Sequence, residues 1–165
     1  MNERNIVLAS LIEALRRTTG FDFNVNRFDH RLRLQKLVYL AKVLGVPKIN
    51  YEFNLYLRGP YSPDLAEDYY RLSRDDFDEN IVRFFLDNSA FKKLANLTYG
   101  KDGTWLEIAT TLIELKKVAE RMIEIGFAKI DKEELLVTLT YRKKPFVSRK
   151  YVKDISNELK YQQII

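Results

Sequence analysis

Four acids and a lysine come nearest to a catalytic pattern. Asp64, Glu67 and Asp68 offer carboxylate oxygens of the kind magnesium prefers. Pro63-Asp64 and the later Glu114-Leu115-Lys116 imitate the P-D…E-x-K signature of metal-dependent nucleases. In such nucleases the acids stand on strands that meet at one site. Here both halves read as helix, and E-x-K is a frequent triplet. Asp64, Glu67 and Asp68 follow a Ser-Pro pair, so they also read as acids at the positive end of a helix dipole. No residue is assigned to catalysis, to a cofactor or to a metal, and a metal-dependent nuclease is the least of three functional expectations.

Other chemistries are bounded by what the chain lacks. Cysteine is absent, which excludes disulfides, thiolate nucleophiles and cysteine-held metals. One histidine, His30, cannot supply a zinc site, and its place in Asp29-His30-Arg31 reads as the polar start of a helix. The glycines stand apart and form no phosphate-binding loop. The tyrosines fall at core periodicities, which favours packing over a base-stacking platform.

Charge points to binding. Charged residues make up 31% of the chain, and the formal net charge is +5. From Arg142 onward stand Arg142, Lys143, Lys144, Arg149, Lys150, Lys153 and Lys160 against Asp154 and Glu158, so this segment holds the whole excess. Such a patch attracts phosphate or acidic protein surfaces. If residues 135–147 form a wing beside short helices, Arg142, Lys143, Lys144, Arg149, Lys150 and Lys153 are the phosphate contacts of a winged-helix nucleic-acid binder. There is no apolar run of membrane-spanning length. The order of charges in MNERNIVLASLIEALRR is wrong for a secretory signal, so a cytoplasmic protein without a membrane partner is expected.

The elements that must position these residues are mostly helices. Leu8, Leu11, Ile12 and Leu15 keep helical period over 3–18, with Gly20 as a stop. A second helix, 29–44, has a wide apolar face that suits the centre of the core. Residues 51–58 alternate strictly, with Tyr51, Phe53, Leu55 and Leu57 on one side, and read as a half-buried strand whose candidate partner is 21–25. Gly59-Pro60 breaks it. Ser62 caps the next helix with Pro63 at its first position. Further helices follow after Asp75–Glu79 and after Asp87-Asn88-Ser89. A long helix opens at the Thr104-x-x-Glu107 capping box and runs towards Gly126. Residues 135–143 fit both a strand and a helix, the cap at Asp131 favouring helix. Pro145 ends that segment, and Ser148 caps a last helix. The expected fold is one mainly α domain over 1–165, with about seven helices and one or two short β-strands.

Two of these segments carry a resemblance. Leu34-Gln35-Lys36-Leu37-Val38-Tyr39 and Tyr56-Leu57-Arg58-Gly59-Pro60-Tyr61-Ser62 together resemble the YwgA-type uncharacterised proteins. More distantly they are similar to the SocA-like or Panacea domain. Thr104-Trp105-Leu106-Glu107 and Lys144-Pro145 extend the likeness. The resemblance implies a mostly helical domain that binds a partner protein as an antitoxin or proteolytic adaptor, without catalysis. The leading expectation is thus a non-enzymatic interaction module with no cofactor, whose partner is another protein. The surface around the Gly59-Pro60 junction is its docking site, with Arg58, Tyr61 and Asp64 as polar contacts and Tyr56 as an aromatic anchor. Nucleic-acid binding through the basic segment is the alternative.

Overall fold

The computed structural model describes residues 2–73 and 75–165. The fold is mainly helical. In chain order it comprises α1 (Glu3–Thr19), α2 (Phe28–Val43), β1 (Asn54–Tyr56), β2 (Gly59–Tyr61), α3 (Pro63–Tyr69), α4 (Glu79–Asp87), α5 (Ser89–Thr98), α6 (Gly103–Glu124), α7 (Lys132–Lys143) and α8 (Arg149–Tyr161). Contacts divide the chain into two compact units. The first comprises residues up to Asn54 together with Tyr61–Gly103; the second comprises Leu55–Pro60 together with Thr104–Ile165.

In the first unit α1 packs against α3, α4 and α5, and α2 against α3 and α5. Leu8, Leu11 and Leu15 supply the inward face of α1. Every residue of α2 from Leu34 to Ala41 is buried. A helix enclosed on all sides is the expected central element, and the polar Gln35 and Lys36 are enclosed with it. On α4 the buried side chains are Val82 and Phe85, whereas Phe84 is turned outward. Phe85 packs on Phe91 of α5 with ring centroids 6.0 Å apart. Both are fully buried, which favours folding by about 2–3 kcal/mol each.

In the second unit α7 packs on α8. Buried residues there include Ile108, Leu112 and Leu115 of α6, Leu135 and Leu136 of α7, and Val152, Ile155 and Leu159 of α8.

Helix ends follow local chemistry. Gly20 closes α1 in the left-handed region at φ 79°. The side chains of Ser62, Asp131 and Ser148 accept backbone N–H groups of α3, α7 and α8. The expected capping box is displaced: α6 begins at Gly103, so Thr104 lies inside its first turn. Residues 135–143 are helix, as the Asp131 cap favoured.

The strand expectation needs correction. Residues 51–58 are not one strand, and 21–25 is loop. β1 covers Asn54–Tyr56 and pairs with β2, which contains the Gly59-Pro60 pair read as a breaker. Leu57 and Arg58 form the turn, and Gly59 follows it at φ 94°, the position a glycine takes in a G1 bulge. Pro60 is tolerated because a two-stranded sheet is all edge. Tyr51 lies before the strand, and its carbonyl accepts from the Lys42 ammonium at 2.7 Å rather than from a ladder N–H. The loop at 21–27 is likewise held by side chains: His30 Nδ1 accepts the Asn24 N–H at 3.0 Å, and Arg31 donates to the Val25 carbonyl at 2.7 Å. Burial holds the His30 pKa below the usual value.

Candidate functional site

Gln35 of α2 meets Ser62, the residue before α3, inside the first unit. The Gln35 amide donates to the Ser62 carbonyl at 2.9 Å and accepts the Ser62 N–H at 2.8 Å. Both residues are fully buried. The Ser62 hydroxyl meanwhile accepts the Leu65 N–H, so a single residue leaves the sheet, binds the central helix and caps α3. The Tyr69 hydroxyl is hydrogen-bonded to the side chains of Gln35 and Tyr61, and its pKa is pushed up to about 12, chiefly by burial. Gln35 and the turn after Gly59-Pro60 therefore form one device, and Tyr61 serves it as a half-buried member.

The carboxylates near residue 64 do not converge. Asp64 and Glu67 are exposed, whereas Asp68 points inward and is 1% exposed. Its oxygens accept from Arg4 Nε at 2.7 Å, Arg4 Nη2 at 3.2 Å and the Tyr51 hydroxyl at 2.7 Å. The Asn5 amide, turned so that its nitrogen faces the carboxylate, adds donors at 3.1 and 3.3 Å. A side chain with this many donors is spoken for. Burial and the bond to Asp68 drive the Tyr51 pKa far above the ordinary range. Among the described residues no group of three His, Cys, Asp or Glu side chains could hold a metal ion. The two halves of the nuclease-like pattern stand on helices, Asp64 in the first turn of α3 and Glu114 and Lys116 within α6.

In the second unit the hairpin turn meets the end of α7. The tip of the hairpin displays Tyr56 at 48% exposure and Leu57 at 87%. Beneath them the Leu57 carbonyl accepts from the Lys144 ammonium. Lys144 is the C-cap of α7; its backbone N–H donates to the Thr140 and Tyr141 carbonyls, and Pro145 prevents the helix from continuing. Its side chain is only 2% exposed, with Glu107 of α6 at 3.9 Å. Burial lowers the Lys144 pKa; Glu107 opposes this, and Lys143 and Arg58 lower it further. Arg58 of the hairpin and Lys143 of α7, far apart in sequence, are thus electrostatic neighbours of one buried cation. Two residues beyond Lys144, Phe146 is 62% exposed.

This alters the basic set. Lys144 is a buried fastener and not a phosphate contact, because its ammonium is turned to the Leu57 carbonyl. Lys150 pairs with Asp154 at 2.8 Å, and Arg149 donates to Thr138 at 2.8 Å. Arg142, Lys143 and Lys153 are exposed, and none has an acid within ion-pair distance among the described residues. The wing expected at 135–147 is absent, since α7 occupies most of that range.

Sequence reasoning took Asp68 for a helix-dipole acid, and it missed the buried roles of Gln35 and Lys144 and the exposure of Phe146. The first left a signal: Leu65, Asp68 and Tyr69 stand at i, i+3 and i+4 on one helical face, so an acid stood on a buried side. Gln35 sits in an otherwise apolar stretch, which is a similar warning. Lys144 left none, because its acceptor lies 87 residues earlier.

No family model, no curated protein and no solved structure matches this chain.

Proposed function

We propose that this protein is a cytoplasmic, non-enzymatic interaction module, antitoxin- or adaptor-like as its resemblance to the YwgA-type and Panacea proteins implies. Its docking surface is the corner built from the hairpin tip and the α7–α8 turn. One observation carries this reading. Leu57 is almost fully exposed while its own backbone is fastened by the buried Lys144. An apolar side chain on a restrained turn loses little entropy on binding, and binding removes its surface from water. Tyr56 and Arg58, its exposed neighbours in the hairpin, extend the same surface. Tyr61 and Asp64, the other two expected contacts, belong to the strand–helix junction of the first unit and act there on Tyr69 and Arg4. Among the described residues no helix is long and apolar enough to cross a membrane.

A photo-crosslinking residue at position 57, compared with one at exposed Lys117, tests the site in native host cells. The expected result is a discrete protein adduct from position 57 alone. Equal labelling from both positions, or none from 57, overturns the reading.

A further inference from the structure

We propose that His30 is a proton-operated latch on the loop before α2: a proton gained at Nδ1 releases Asn24 and loosens the groove wall that Phe23 forms. The latch lies wholly within the first unit and does not depend on the docking reading.

Two bonds of different chemistry tie this loop to α2. The Asn24 N–H donates to His30 Nδ1 at 3.0 Å, and the Arg31 guanidinium donates to the Val25 carbonyl at 2.7 Å. A guanidinium keeps its protons at any working pH, whereas an imidazole nitrogen accepts only while it is bare. A proton on Nδ1 turns the acceptor into a second donor facing the Asn24 N–H. Asn24 is exposed, so its N–H then turns to water. Asn24 also organises the turn that follows. Its carbonyl accepts the Arg27 N–H at 3.0 Å, and its side chain accepts the Asn26 N–H at 2.9 Å. Arg31 still holds Val25, which confines the loosening to the residues before it.

The consequence falls on a groove. The rings of Phe21 and of Tyr69 in α3 lie 6.4 and 5.6 Å from that of Phe23. Phe23 and His30 line the groove with Glu13 and Arg16 of α1, and with Phe77. Releasing Asn24 therefore frees the backbone beside an aromatic wall residue.

The surrounding charges give the latch its direction. Burial disfavours the imidazolium of half-buried His30, as do Arg27 and Arg33; Asp29, 4.0 Å from Nε2, and Asp22 favour it. The balance holds the His30 pKa below its ordinary 6.5. On the α1 side, the Glu13 carboxylate is engaged by both Arg16 and Arg17. Asp75 also lines the groove. A closed loop that prefers neutral imidazole binds the proton less readily than an open one, so falling pH opens it. The window lies below pH 6.5.

The test is an NMR titration of the isotope-labelled full chain between about pH 8 and pH 5, where its single histidine titrates. At the alkaline end the ring proton is expected on Nε2, with scalar coupling between Nδ1 and the Asn24 amide nitrogen. As the ring titrates, with a midpoint below 6.5, this coupling disappears. Protection of the Asn24 amide falls by about fivefold in the same step, as loss of one ordinary hydrogen bond requires. The Gly20 amide, bonded to the Arg16 carbonyl at 3.0 Å, keeps its protection. His30→Asn sets a carbonyl oxygen near the place of Nδ1 and cannot titrate, so its Asn24 amide should show no step. Absence of the coupling at the alkaline end, its survival after ring protonation, or a midpoint at or above 6.5 overturns the latch. An equal Asn24 step in His30→Asn does the same. Should that variant melt at a lower temperature, the wild-type coupling decides by itself.

Discussion

Asp68 in the first unit and Lys144 in the second are both buried charges, and the fold treats them in opposite ways. Asp68 receives the Arg4 guanidinium through two nitrogens, the Tyr51 hydroxyl and the Asn5 amide. Lys144 has a backbone carbonyl and a glutamate at 3.9 Å, with Lys143 and Arg58 acting against it. The first charge is matched and serves to lock α1, the segment before β1, and α3 into one framework. The second is under-compensated and stands beneath exposed apolar and cationic side chains. A buried polar group that is fully satisfied specifies structure, whereas a poorly compensated one carries a desolvation cost that its partners do not offset.

The largest effect that sharpens this contrast is expected from Asp68→Ala. It strips Tyr51 and Asn5 of their acceptor and leaves Arg4 unpaired. Breaking a buried pair from one side costs about 3–5 kcal/mol. Since the Arg4 side chain is 37% exposed and can turn to water, the loss falls near 3 kcal/mol at the low end of that range. Urea denaturation measures it, and a loss under about 1 kcal/mol would sink the claim that Asp68 is a framework group.

Gln35→Ala comes next. It leaves the Ser62 N–H and carbonyl buried without their partners, at a cost of about 2 kcal/mol. Amide exchange of Ser62 and Leu65 should accelerate more than that of α8. Uniform acceleration throughout the chain would mean that Gln35 acts through general packing and not through this turn.

Lys144→Met is the smallest and the most telling. It keeps the unbranched stem and removes the charge, so stability should change by no more than about 1 kcal/mol. Hairpin amides at 55–59 should nevertheless exchange faster, since the Leu57 carbonyl has lost its donor. The sign of the pH dependence follows from a lysine pKa lowered in the folded state. Between that folded pKa and the ordinary value of 10.5 the unfolded chain binds more protons, so stability rises with pH. The wild-type protein should therefore gain on the Lys144→Met variant as the solution is made alkaline. A constant difference between the two across that window would show that Lys144 is not disfavoured by its burial.

Several elements could be read directly because their causes lie within a few residues. Ser62, Asp131 and Ser148 reach an N–H three positions on, and Gly20 needs no more than its own φ. The alternation from Tyr51 was also real, but it did not define a strand. Tyr51 is drawn inward by Asp68 and its carbonyl by Lys42, and neither is a sequence neighbour. The turn at Leu57-Arg58 escaped notice because it carries no Asn-Gly signal, and its glycine comes one place later, beside the proline that looked like a break.

The same division holds for the site. Side-chain type and local periodicity determined that the protein is mainly helical, that Gly20, Ser62, Asp131 and Ser148 close or cap their helices, that cysteine chemistry is excluded, and that cations concentrate after Arg142. Tertiary structure decided that Gln35 grips Ser62, that Asp68 faces inward while Asp64 and Glu67 do not, and that Lys144 is a fastener and not a ligand for phosphate. Periodicity reports which face of an element is apolar, but it is blind to which distant group satisfies a polar one. The energy of a buried charge depends on those distant groups, so the fate of Asp68 and Lys144 had to wait for the folded chain.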